Sequence, residues 1–139
     1  MAGYSGKPLV QKLGIKPGFC IFVDGLSTAY RDVVGELPDD VKIARTAKAP
    51  LDMVHVFATE AKGFAVKLRS YRRAIAPDGM IWASWPKKAS GVVTDVTETL
   101  VRETALANGL VDIKVCAVDD VWSGLKLVIP AKDRVRVAK

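Results

Sequence analysis

Cysteine, histidine and long apolar runs are scarce in this chain of 139 residues. Each scarcity removes a class of function. The two cysteines, Cys20 and Cys116, sit in separate strand-like apolar stretches, residues 19–23 and 111–118. Neither has a second cysteine or a histidine at metal-ligand spacing, so a disulfide framework and a zinc site are both excluded. A free cysteine packs as a small hydrophobe, and a reducing cytoplasm fits that role. His55 is the one histidine. No serine or cysteine nucleophile motif accompanies it, which points to a hydrogen-bonded core residue rather than a catalytic base. No run approaches the roughly 20 apolar residues that span a bilayer. The opening Met1-Ala2-Gly3-Tyr4-Ser5-Gly6-Lys7 lacks an apolar signal core, so a soluble cytoplasmic protein without membrane attachment is expected. Internal repeats and low-complexity segments are also missing.

What remains is an ordinary globular mixture, 50% hydrophobic and 26% charged. A chain of this size buries roughly two thirds of its unfolded surface and needs no staple. One α/β domain over residues 1–130 is expected, followed by a basic tail at 131–139. The formal net charge is +6. Such an excess permits an anionic partner, and it also serves solubility alone.

Periodicity divides the chain into alternating strands and helices. Pro8 opens a short helix that Gly14 stops, and residues 19–23 read as a buried first strand ended by Asp24-Gly25. Residues 26–37 carry a short helix with Ser27 or Thr28 as cap and Tyr30, Val33 and Val34 facing inward. A short strand follows at 41–44. Residues 51–58 form a strand apolar on both faces, as parallel sheets require. The clearest helix covers 60–76, closed by Pro77-Asp78-Gly79. A strand at 79–85 leads to a helix over 94–108, with Asp95 and Glu98 in a capping arrangement. Strands at 110–118 and 122–129 form a hairpin. The alternation predicts a three-layer, Rossmann-like, mainly parallel sheet with an antiparallel strand from the C-terminal hairpin.

In such a sheet, ligands lie beyond the carboxyl ends of the parallel strands. Those ends present Asp24, Thr59, Glu60, Ser84, Trp85, Lys87 and Lys88, and the hairpin turn adds Asp119, Asp120 and Trp122. Lys87, Lys88, Ser90 and the amides before the following helix suit a phosphate or carboxylate; paired loop lysines are also commonly just solvated. Trp85 and Trp122 suit a planar ligand or a cation, or close the edge of the core. Asp24, Asp119 and Asp120 suit a general base or a divalent cation, or bond their own turns. Trp82 is mid-strand and reads as core. Lys62, Lys67, Arg69, Arg72 and Arg73 make one helix face basic. With the tail, that face would meet nucleic acid, or simply water; no nucleic-acid-binding motif accompanies it.

Two family resemblances follow from particular segments. The run Lys12-Leu13-Gly14-Ile15-Lys16-Pro17-Gly18, the strand after it, Asp24-Gly25, and the later Ala76-Pro77-Asp78-Gly79-Met80-Ile81-Trp82 resemble a class I methyltransferase. The resemblance implies a methyltransferase-like fold. It also implies a glycine-rich loop after the first strand for close approach to a nucleotide cofactor. Asp24-Gly25-Leu26-Ser27-Thr28-Ala29-Tyr30 holds one glycine there, and the second and third strands of that fold are compressed into 41–44. A shortened relative whose cofactor site is lost is therefore expected. The segments Tyr4-Ser5-Gly6-Lys7-Pro8-Leu9, Ser84-Trp85-Pro86-Lys87-Lys88-Ala89-Ser90-Gly91 and Val115-Cys116-Ala117-Val118-Asp119-Asp120-Val121-Trp122-Ser123-Gly124-Leu125-Lys126 resemble a small bacterial family. That likeness implies bacterial origin and no particular activity. The expected function is binding of a small anionic ligand or a protein partner at the rim, without methyl transfer. The alternatives are an S-adenosylmethionine-dependent methyltransferase-like enzyme and a nucleic-acid-binding accessory protein. No cofactor is dictated by the residues themselves.

Overall fold

The computed structural model describes residues 7–134. The expected arm at Tyr4-Ser5-Gly6 and the end of the expected tail, residues 135–139, lie outside the described residues. Among the described residues six strands form one sheet: β1 (Cys20–Asp24), β2 (Lys42–Ala44), β3 (Leu51–Phe57), β4 (Ile75–Pro86), β5 (Val111–Ala117) and β6 (Trp122–Val128). Their spatial order is β2-β1-β3-β4-β6-β5. The first four strands are parallel. β6 inserts antiparallel between β4 and β5.

Helices α1 (Leu9–Leu13) and α2 (Tyr30–Val34) cover one face, and α3 (Phe64–Ala74) and α4 (Glu98–Ala107) the other. β3 explains why the sheet is buried on both sides. Every residue of it but Asp52 is buried, and its side chains alternate between two cores. Val54 and Val56 pack with Phe64, Leu68 and Val101. Met53 and Phe57 pack with Leu13, Tyr30 and Trp82. Each such side chain contributes about 1.5–3 kcal/mol by leaving water. Trp82, fully buried, also donates its indole N–H to the Leu13 carbonyl at 2.8 Å, which pins α1 to the sheet. The cysteines fill space: Cys116 is buried, and burial pushes its thiol pKa up.

Several boundaries differ from the expected ones, for tertiary reasons. The helix expected from Glu60 starts at Phe64, because the Ala61 N–H donates instead to the Asp95 carboxylate at 2.7 Å. Pro77-Asp78-Gly79 does not close that helix. The chain enters β4 at Ile75, and the three residues ride within the strand as an irregularity. Leu51 pairs with Ile75 and Met53 with Met80, so two steps along β3 match five along β4. The helix expected from Thr94 starts at Glu98. Its cap is Thr97, whose hydroxyl accepts from Leu100 N–H at 3.1 Å, so the Asp95–Glu98 arrangement is not the cap. Thr94 and Asp95 serve the neighbouring loop: the Thr94 hydroxyl donates to the Thr59 carbonyl at 2.7 Å. α2 starts at Tyr30 with Ala29 at its cap position, so neither Ser27 nor Thr28 caps it. Pro8 is likewise the cap of α1 rather than its first helical residue.

Candidate functional site at the carboxyl rim

The parallel strands carry their carboxyl ends to one rim, and the β5–β6 turn emerges there too. Asp24 is in register with Val56, Phe57 with Ser84, and Pro86 with Trp122. Asp24, Trp85–Lys88 and Asp119–Trp122 therefore share an edge of the sheet. The sheet nevertheless divides them between its faces, because strand side chains alternate.

On the α3 face, Asp24 meets α3. Its carboxylate accepts the Tyr71 hydroxyl at 2.5 Å and lies 3.1 Å from the Lys67 ammonium. Burial first, and then the Asp24 carboxylate, push the Tyr71 pKa upward, so the hydroxyl stays a donor. Gly25 follows at once, and beside it a cavity of about 190 Å³ opens between Phe57, Thr59, Glu60, Lys62, Phe64 and Lys67. Trp85 lies farther along this face, inside the α3–α4 core. It walls a second cleft, of about 460 Å³, with Pro86, Lys88, Val96, Thr97 and Glu98.

On the other face the polar groups are hidden. Ser84 is fully buried and does not reach the rim. Its hydroxyl lies 2.7 Å from His55 Nε2, and His55 Nδ1 lies 2.7 Å from the Tyr30 hydroxyl. Phe57 stacks on the His55 ring at a centroid separation of 4.2 Å, and Trp122 meets Phe57 edge-on at 5.0 Å. Burial lowers the His55 pKa to about 3 and raises that of Tyr30, so both are neutral at physiological pH.

The loop residues have structural tasks. Lys87 donates its ammonium to the Asp119 carbonyl at 2.6 Å and its N–H to the Val121 carbonyl at 2.7 Å. Asp119 Oδ1 accepts the N–H groups of Val121 and Trp122, both at 2.8 Å. The Ser90 hydroxyl donates to the Lys87 carbonyl at 2.6 Å. These bonds lock the Lys88–Ser90 turn to the β5–β6 turn. The side chains of Lys88 and Asp120 remain exposed, with no hydrogen-bond or ion-pair partner among the described residues.

Lys67 and Tyr71 were not legible as partners of Asp24. Their i, i+4 spacing marks one helix side, but only the packing of α3 on β1 selects the carboxylate. The Tyr30–His55–Ser84 chain had no sequence signal, since three segments supply it. Tyr71→Phe is expected to cost about 1–2 kcal/mol in urea unfolding, because a buried hydrogen bond to a charged group is lost. Lys67→Ala is expected to cost less than about 1 kcal/mol, since the lysine is half exposed. Equal losses would show that the hydroxyl has no special part in holding Asp24.

Strand order, layers and the inserted antiparallel strand together define the Rossmann-like fold of the class I S-adenosylmethionine-dependent methyltransferases. Solved structures agree. A SAM-dependent methyltransferase from Aquifex aeolicus superposes with a TM-score of 0.60 and 15% identity, over 86% of this chain and 87% of that one. A TehB-like SAM-dependent methyltransferase from Corynebacterium glutamicum gives 0.56 and 12%, over 91% and 89%. Magnesium protoporphyrin IX methyltransferase from Synechocystis, solved with bound SAM, gives 0.55 and 9%, over 87% and 74%. The sequence matches no family model and no curated protein. At these identities the likeness is one of fold. No helix among the described residues is long and apolar enough to cross a membrane.

Proposed function

We propose that the chain binds an S-adenosylmethionine-type cofactor at the carboxyl rim and serves methyl transfer. The expectation that the cofactor site is lost and methyl transfer absent gives way to this reading, because the likeness to such enzymes runs over most of the chain. The observation that carries the proposal is the reversal of strand order at β1 and β3. β1 runs outward to β2 through α2 on one face, and β3 outward to β4 through α3 on the other. Doubly wound sheets bind their ligands in the crevice such a reversal opens.

The residues at that crevice fit the amino-acid end of the cofactor. Lys62 and Lys67 suit its carboxylate, and Asp24 and Glu60 its ammonium. The ribose is less well provided for, since Arg45-Thr46 follows β2 where an acidic residue would accept its hydroxyls. The cavity of about 190 Å³ is below the roughly 300 Å³ of pockets that enclose a whole small ligand. It would enclose part of the molecule only. When bound, the cofactor supplies an electrophilic methyl group. Tyr71 and Lys67 orient Asp24, Gly25 lets the loop close on β3, and Phe57 and Phe64 exclude water from the inner wall.

Calorimetry and thermal unfolding with S-adenosylmethionine or S-adenosylhomocysteine test this. A ligand at about 100 times its dissociation constant stabilises by about 2.7 kcal/mol. No shift at concentrations on the order of millimolar would overturn the proposal.

A second reading, capture of a small anionic ligand or a protein's acidic group without methyl transfer, is supported by the cleft beside α4. The Lys88 ammonium stands at it without a partner among the described residues, beside the Trp85 wall. Lys88→Ala is expected to abolish such binding while leaving stability within about 0.5 kcal/mol. A large stability loss would make the loop purely structural.

A further inference from the structure

A third concavity lies away from the rim, between α3 and the connection from β2 to β3. It encloses about 410 Å³ and is lined by small residues, Ala47, Ala49, Ser70 and Ala74, with Arg69, Arg73 and Val66 along the helix side. Lys48 falls between two of the lining alanines, and Arg45 precedes them. The charge here is of one sign. α3 carries Lys67, Arg69, Arg72 and Arg73 and no acidic residue. The connection Arg45-Thr46-Ala47-Lys48-Ala49-Pro50 carries none either.

Neutralisation is just as uneven. Lys67 pairs with Asp24. Arg69 and Arg72 donate to neutral oxygens, the Asn108 side chain at 3.3 Å and the Gly109 carbonyl at 3.0 Å. The side chains of Arg45, Lys48 and Arg73 have no hydrogen-bond or ion-pair partner among the described residues. α4 on the same face behaves differently: its Arg102 is flanked by Glu98 at 2.6 Å and Asp112 at 3.0 Å. Arg69 and Arg73 are four residues apart on one helix, a like-charge spacing that costs helix stability. Solubility needs no such concentration, because dispersed charge would serve it.

We propose that this groove binds the phosphodiester backbone of single-stranded nucleic acid. One lip is basic, Arg69 with Arg73 on α3, and it borders a floor of small side chains that lets a backbone lie close. Arginine forks match phosphate oxygens in geometry as well as charge. No aromatic ring among the described residues lines the groove, so bases are not stacked there and recognition is independent of sequence. The site is separate from the rim crevice, and its success or failure is independent of cofactor binding.

Fluorescence anisotropy with a labelled single-stranded RNA tests the proposal on the full chain. Two double variants are compared, Arg69→Ala with Arg73→Ala in the groove, and Lys16→Ala with Lys132→Ala elsewhere. Both remove two charges from exposed sites, and thermal unfolding checks that both fold. The wild type is expected to bind at about 50 mM salt and to lose most of its affinity by about 200 mM. The groove variant is expected to bind about tenfold more weakly, with a salt slope shallower by about 1.4, while the control changes by less than about twofold. Absence of binding at low salt, equal weakening by the two variants, tighter binding of duplex DNA, or equal affinity for polyglutamate would each overturn it.

Discussion

Gly25→Ala is expected to unfold the protein or to lower its stability by about 3 kcal/mol or more. Gly25 sits at φ 87°, and a Cβ there would lie 2.2 Å from the backbone oxygen of Phe57. Two costs add. A left-handed non-glycine residue costs about 1–2 kcal/mol. The clash is with main chain at the end of β3, so no side-chain rotation relieves it. Either the β1–α2 loop lifts off β3 or β3 shifts against β1 and β4. Gly18 supplies the control, because it has φ 82° and open space where a Cβ would go. Gly18→Ala should therefore show the conformational cost alone. The difference in urea midpoint between the two variants reads the close approach directly, and equal midpoints would show that loop and strand do not touch. Since the same contact closes the inner wall of the rim crevice, any Gly25→Ala protein that folds is expected to lose the cofactor stabilisation as well.

Acid should destabilise the protein before its carboxylates titrate. His55 is fully buried, with neutral hydroxyls of Tyr30 and Ser84 on its two nitrogens and Phe57 stacked on its ring. Burial lowers its pKa from 6.5 to about 3. Between these values the unfolded chain binds a proton that the folded chain refuses, so stability falls as pH falls. The contribution is complete above pH 6.5 and shrinks by roughly 1 kcal/mol or slightly more per pH unit down to about pH 3. The informative interval is from 6.5 to about 5, above the range of ordinary carboxylates. There, His55→Gln is expected to flatten the dependence while lowering stability at neutral pH, because glutamine cannot satisfy both hydroxyls at the same spacing. An unchanged slope in that variant would assign the acid sensitivity to another group.

Much of this architecture could be read in residue order. The doubly apolar run around Val54 and Val56 announced a parallel strand buried on both faces, and the spacing of Phe64, Leu68 and Tyr71 announced the helix packed on it. The hairpin followed from the short interval between residues 118 and 122. These are local signals, since strand and helix periods are properties of neighbouring residues. Topology then brought Asp24, Trp85 and Trp122 to one rim, and the rule of carboxyl ends is sufficient for that.

Side-chain partners lay outside such reasoning. Lys87 and Asp119 looked like ligand groups and are occupied with each other's turns, while Ser84 is drawn into the core by His55. Asp24 acquires Tyr71 and Lys67, and the rim residues fall on opposite faces of the sheet. The extra residues of β4 around Pro77 and the late starts of α3 and α4 have the same origin. Hydrogen bonds between segments far apart in the chain, such as Ala61 to Asp95 and Thr94 to Thr59, outweigh local turn and capping preferences worth about 1 kcal/mol. Element type and order are written into short stretches of residues. Which polar groups stay free to meet a ligand depends on which distant groups reach them first, and that is settled only when the sheet closes.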